Sequence, residues 1–138
     1  MSTTLSPAKT QLLIGGQWSD ASTGESYVNE NPATGRPLAE VASASAADVD
    51  RAVSAARAAF DSGKWASMPA SRRAKILLKM AQLISERASE LALLEVRDNG
   101  KPLGTAKGEI GAIVETFEFY AGAATKNYGL TIPGPTSS

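Results

Sequence analysis

Lys101 stands directly behind a glycine in the run Asp98-Asn99-Gly100-Lys101-Pro102, the setting in this chain closest to a reactive amine. A glycine–lysine pair is also the centre of a phosphate-binding loop, where backbone N–H groups cradle phosphates and the lysine balances their charge. That chemistry fails on spacing. No glycine precedes at the required interval, and Pro102 takes the place of the Ser or Thr that holds magnesium. The reactive-amine reading competes with a plainer one, an exposed turn lysine. Gly104, Gly108 and Gly111 continue the glycine rhythm, but outside any apolar stretch of about 20 residues, so a membrane helix-dimer motif is excluded. Gly100 reads as a helix end and the later glycines as points of close packing.

The chain has no cysteine and no histidine. Disulfides, thiolate metal sites and thiol nucleophiles are therefore excluded, and so is the commonest general base. Carboxylate, serine–lysine and metal–carboxylate schemes remain, yet no acidic pair stands out as a dyad. There is no Gly-x-Ser-x-Gly elbow, and no Gly-x-Gly-x-x-Gly follows a strand. The 14 basic residues balance the 14 acidic ones, which gives no electrostatic reason to expect nucleic acid or an anionic membrane. The densest basic cluster, Arg72, Arg73, Lys75 and Lys79, reads as a solvated helix face. No signal-peptide core and no membrane-spanning run occur, so the cytoplasm is the default compartment.

These residues need elements to place them. At 138 residues there is room for one ordinary domain. Residues 1–10 read as a flexible arm of Ser, Thr and Pro. A small strand-rich region is expected over residues 11–43. Gly15-Gly16 between Leu12-Leu13-Ile14 and Gln17-Trp18-Ser19 signals a tight hairpin, and Ser26 to Glu30 and Leu38 to Ala42 are further extended runs. Three amphipathic helices are expected to follow. The first opens on Ser45-Ala46-Ala47-Asp48, a capping box with aspartate in the glutamate position, and carries Val49, Ala52, Val53, Ala56 and Phe60 on one face. The second starts near Pro69, bears Ile76, Leu77, Met80, Leu83, Ile84, Leu91 and Leu94, and stops at Asn99-Gly100. The third carries Ile110, Ile113, Val114, Phe117, Ala121, Ala124 and Tyr128. The fold class is α+β. The apolar stripes outrun the strands available to cover them, which implies a body outside this chain.

Taken in order, several short motifs add a family. Trp18 follows the glycine hairpin, and Asn31-Pro32-Ala33-Thr34-Gly35 comes next. Asp48-Val49-Asp50-Arg51-Ala52-Val53 leads to Ala55-Ala56-Arg57-Ala58-Ala59-Phe60, and Trp65 follows. Asp98 to Pro102, Phe119-Tyr120-Ala121-Gly122 and Thr131-Ile132-Pro133 complete the series. Over residues 11–134 this order resembles the N-terminal region of the NAD(P)-dependent aldehyde dehydrogenases.

The resemblance implies an α/β fold of which residues 11–129 are the N-terminal part of the cofactor-binding domain, with residues 130–138 the start of a truncated oligomerisation strand. It implies the oxidation of an aldehyde to an acid with NAD or NADP. A cysteine forms a thioester and a glutamate activates water. No position here matches the cysteine, the glutamate or the dinucleotide-binding glycines, so no catalytic or cofactor-binding residue is carried over. Three features are. A monovalent-cation site, for K+ or Na+, would use the backbone carbonyls of Asn29 and Glu30 and the carboxylate of Asp98. The alternative role for Asp98 is to cap the turn before Gly100. Gly108, Ala112 and Thr116 would line the aldehyde tunnel, or serve only in helix packing. The strand beginning at Leu130 would pair with another subunit. The expectation is an inactive N-terminal fragment that binds no cofactor alone and whose partner is the remainder of its subunit. The rival is a non-catalytic interaction module that docks on a full-length homologous subunit.

Overall fold

The computed structural model describes residues 10–129. The flexible-arm expectation for residues 1–10 lies outside that range except at Thr10, and the strand expectation for 130–138 lies wholly outside it. The described chain begins with two antiparallel hairpins. Strand β1 (Leu12–Ile14) pairs with β2 (Gln17–Ser19), Leu13 opposite Trp18. The turn between them needs two consecutive left-handed residues, which Gly15 and Gly16 supply at φ 60° and 81°. Strand β3 (Ser26–Asn31) pairs with β4 (Arg36–Ala42) through the Asn-Pro-Ala-Thr-Gly turn. Asn31 shapes that turn: its Oδ1 accepts from Ala33 N at 2.9 Å and its carbonyl from Gly35 N at 2.8 Å. The β3–β4 register slips between Asn29 and Glu30, which face Ala39 and Pro37 and leave Leu38 as the extra residue of a bulge.

Four helices follow: α1 (Ala46–Asp61), α2 (Ala70–Glu86), α3 (Ala88–Asn99) and α4 (Leu103–Ala123). The α+β class stands, but the expected second helix is two helices. Arg87, at φ −107° and ψ 13°, interrupts it. No glycine or proline marks the break. The bend lets both α2 and α3 pack on α4, whereas a straight rod presents only one stretch to it. The Arg87 side chain bonds Glu90 one turn into α3, at 2.7 and 3.0 Å. The third expected stripe also ends early. Tyr128 lies past α4 and is exposed.

The capping box at α1 forms as read, with Ser45 Oγ accepting from Asp48 N and the Asp48 carboxylate accepting from Ser45 N. The buried core is small. Ala92 of α3 meets Ala106 and Ile110 of α4, and Ile84, Ala88, Leu91 and Val96 pack around them. Much of the remaining apolar surface faces outward, including Val53, Phe60 and Trp65 near α1 and Phe119 and Tyr120 on α4, with Phe60 76% and Phe119 70% exposed. Helix α1 rests on the first hairpin, where Gly15 approaches Ala55, and leaves Val49, Val53 and Phe60 uncovered.

Candidate functional site

The structure brings two of the sequence motifs together. The end of β3 meets the end of α3, and Asn29 Nδ2 donates a hydrogen bond to Asp98 Oδ1 at 2.7 Å across 69 residues of sequence. Three residues on from Asn29 and two on from Asp98, Pro32 lies against Gly100. Gly100 holds φ 76°, and its N–H caps α3 by donating to Val96 O at 3.0 Å. The helix stop read from Asn99-Gly100 is thus also the contact that seats the Asn-Pro-Ala-Thr-Gly turn.

Of the three residues expected at a cation site, Asn29 and Asp98 are in contact, and Glu30 follows on the same strand, exposed. Pro37, paired with Glu30, has no N–H for the ladder, and the bulge at Leu38 breaks the regular spacing there. Backbone carbonyls together with a carboxylate are hard oxygen donors of the kind a monovalent ion takes. One Asp98 oxygen is engaged by the Asn29 amide. Among the described residues no group of three or more His, Cys, Asp or Glu side chains is placed to hold a metal ion.

Lys101 is not an exposed reactive amine. Its Nζ bonds Glu95 Oε1 at 2.9 Å and also pairs with Glu109, so it ties the end of α3 to the start of α4. The Glu109 and Glu95 carboxylates raise its pKa above the ordinary 10.5, which keeps it protonated and without a nucleophilic lone pair.

Gly108, Ala112 and Thr116 share one exposed face of α4, roughly opposite the side that buries Ala106, Ile110 and Ala121. Thr116 Oγ1 bonds back to Ala112 O at 2.8 Å. The close-packing role expected of Gly104, Gly108 and Gly111 does not hold among the described residues: a Cβ on any of them would meet nothing within 4 Å. The physical reason is rotational. These glycines lie off the buried line of α4, where no neighbouring element approaches.

A second cluster was only half legible. Asp48, read as a helix cap, is 1% exposed and receives more than its capping bonds. Ser22 donates to it through N at 3.1 Å and through Oγ at 3.0 Å, and Arg51 pairs with it. The Ser45 backbone N–H first, then Arg51, hold the Asp48 pKa far below the usual carboxylate range, against the opposing effect of burial. This clasp fastens the turn after β2 onto α1. The turn signal at Ser22-Thr23-Gly24 and the capping box were both visible in sequence, but not their meeting.

Comparison with known proteins decides what these motifs belong to. The sequence model of the aldehyde dehydrogenase family matches residues 18–138. The chain belongs to the aldehyde dehydrogenase family. It is 47% identical over 124 residues to a mitochondrial benzaldehyde dehydrogenase of Antirrhinum majus, covering 89% of this chain and 23% of that one. It is 44% identical to a putative aldehyde dehydrogenase of Bacillus subtilis (strain 168), covering 89% of this chain and 25% of the relative. A Bacillus cereus aldehyde dehydrogenase in complex with NAD+ superposes with a TM-score of 0.82 at 44% identity, over 92% of this chain and 26% of that chain. This aldehyde dehydrogenase chain therefore spans about a quarter of the length of the relatives it matches. No helix among the described residues is long and apolar enough to cross a membrane.

A dinucleotide accompanies the Bacillus cereus relative. The strands described here form two antiparallel pairs. They offer no parallel strand leading into a helix N-terminus, where a pyrophosphate binds. No cofactor contact is assigned to this aldehyde dehydrogenase segment.

Proposed function

We propose that this chain is the N-terminal portion of an aldehyde dehydrogenase subunit and is inactive by itself. The observation that carries the reading is the family match to a sequence that contains no cysteine. The family reaction, aldehyde to carboxylic acid with NAD or NADP through a cysteine thioester, needs a nucleophile this sequence lacks. The outward-facing Phe60, Trp65, Phe119 and Tyr120 support the same view, because such surfaces are normally covered. Their cover is the remainder of the subunit. In that setting Gly108, Ala112 and Thr116 form part of the aldehyde tunnel wall, and their small side chains leave it roomy. Asn29, Glu30 and Asp98 supply oxygen ligands to a monovalent cation.

The test is to incubate the purified chain with NAD+ or NADP+ and a panel of aldehydes and follow absorbance of the reduced cofactor. No aldehyde-dependent signal is expected, and one above the no-aldehyde control overturns the reading. The exposed faces equally suit a non-catalytic module docking on a full-length homologous subunit. A sharp melt without apolar-dye binding favours that module, and a broad melt with strong dye binding favours the severed portion.

A further inference from the structure

Asn99 is followed by Gly100, the one asparagine–glycine step in the chain. Such a pair can react with itself in water alone. Once the Gly100 N–H loses its proton to solvent, the nitrogen can attack Asn99 Cγ and close a succinimide ring. The Cγ–Nδ2 bond breaks, and ammonia leaves carrying the proton that Gly100 gave up. Water then opens the ring. Attack at Cγ gives aspartate, and attack at the Asn99 main-chain carbonyl gives isoaspartate, with the backbone rerouted through the side chain. Nothing is oxidised or reduced. A glycine on the attacking side has no Cβ to crowd the approach. The other three asparagines lack this partner: Glu30 follows Asn29, Tyr128 follows Asn127, and Pro32, after Asn31, has no N–H to give up.

The fold holds both reacting groups away from that path. Gly100 N–H donates to Val96 O at 3.0 Å as the last bond closing α3. Asn99 Nδ2 donates to Glu95 Oε1 at 2.7 Å, and Asn99 Oδ1 accepts from Lys101 N at 2.9 Å. Pro32 packs on Gly100 from the β3–β4 turn. Asn99 is nevertheless exposed, so solvent reaches it as soon as the helix end opens, and ends open at far lower cost than the whole fold. We propose that Asn99 is a deamidation site, latent in the folded chain and released by opening of the last turn of α3. Loss of the Gly100 amide proton is also the step that governs hydrogen exchange at that N–H, so exchange and deamidation share one gate. Either product adds a carboxylate at the negative end of the α3 dipole, close to Glu95. Isoaspartate also lengthens the backbone before Gly100 by one carbon, which draws Gly100 off Val96 O and Pro32.

The test incubates the 138-residue chain at mildly alkaline pH, folded and in guanidinium chloride, and follows Asn99 and Asn127 by peptide mapping with mass spectrometry. Glu95→Ala removes the acceptor of the Asn99 amide, and Pro32→Ala removes the ring against Gly100. Far-UV circular dichroism checks that each form keeps its helices, and NMR hydrogen exchange at Gly100 measures the opening. In denaturant, Asn99 is expected to deamidate faster than Asn127. In the folded chain it is expected to react roughly tenfold more slowly than in denaturant, the factor for an opening free energy of about 1.4 kcal/mol. Both variants are expected to recover part of that rate, with Gly100 exchange rising by the same factor. If Asn99 is no faster than Asn127 in denaturant, there is no site. Equal rates in denaturant and in a chain that retains its helices remove the gate. Variants that speed Gly100 exchange without speeding deamidation also overturn the proposal.

Discussion

The Cα of Gly100 lies so close to Pro32 that a Cβ built on it would sit 3.1 Å from Pro32 Cγ. Two motifs that are 68 positions apart by this pair alone thereby share one contact, and the same residue must also hold a left-handed φ of 76°.

Gly100→Ala therefore meets two penalties, the left-handed backbone and the proline ring. It is expected to lower stability by about 1–2 kcal/mol, read from the midpoint of urea unfolding. Gly104→Ala is the control. It lies inside α4 with open space around it, so alanine is expected to raise stability by up to about 1 kcal/mol. Equal effects of the two changes would show that the Pro32 contact and the left-handed turn do not matter.

Asp48 makes the chain sensitive to acid in a defined direction. Its folded pKa is depressed by the Ser45 N–H and by Arg51, so its contribution is complete above the ordinary value of 3.8. The contribution is lost as pH falls below 3.8 toward the folded value. Melting temperatures at about pH 6 and about pH 2 check this: the wild type is expected to lose more than Asp48→Asn between them. A variant that loses as much as wild type removes Asp48 as the cause. Ser22→Ala is expected to lower the wild-type melting temperature at neutral pH, because it removes the hydroxyl donor that joins the turn to α1.

What was legible in the sequence was local. Gly15-Gly16 between two short apolar runs, the Ser45–Asp48 box and the Asn99-Gly100 stop each act within a few residues, and each formed as read. The break at Arg87 was not legible, because the apolar stripe runs through it unbroken and only packing on α4 calls for the bend. The Asn29–Asp98 bond, the Ser22–Asp48 bonds and the Lys101–Glu109 pair join residues from different elements, and nothing in local spacing encodes them. The later glycines misled for a related reason. A glycine step marks a possible close approach, but only tertiary placement decides whether a neighbour arrives.

Lys101 is expected to label more slowly than surface lysines such as Lys64 in competition with an amine-specific acylating reagent. Its pairing with Glu109 and Glu95 raises its pKa, so its share of stability is present below the ordinary 10.5 and lost as pH rises through the folded value. Glu95 runs in the opposite sense: bonded by Lys101, its pKa is lowered, and its share is lost as pH falls below the ordinary 4.5. The tie between α3 and α4 is therefore complete across neutral pH. Mass spectrometry of the labelled peptides checks the order, and faster labelling at Lys101 than at Lys64 would restore the reactive-amine reading.

Two residues on α4 separate the interior of this chain from the surface we assign to the rest of a subunit. Ile110 is 8% exposed and packs on Ala92, so Ile110→Ala is expected to cost about 2–4 kcal/mol in the chain itself. Phe119 is mostly exposed and touches Tyr120 edge-on at 5.3 Å between ring centroids. Phe119→Ala is expected to change the stability of the chain by no more than about 0.5 kcal/mol, and to reduce apolar-dye fluorescence. In a longer subunit of this family carrying the same residues, the same Phe119→Ala change is expected to cost several times more, because the ring is then covered. Urea unfolding of both forms makes the comparison. A small Phe119 effect in the longer subunit would mean that this face of α4 stays open to solvent, and would remove one support for the covered-surface reading.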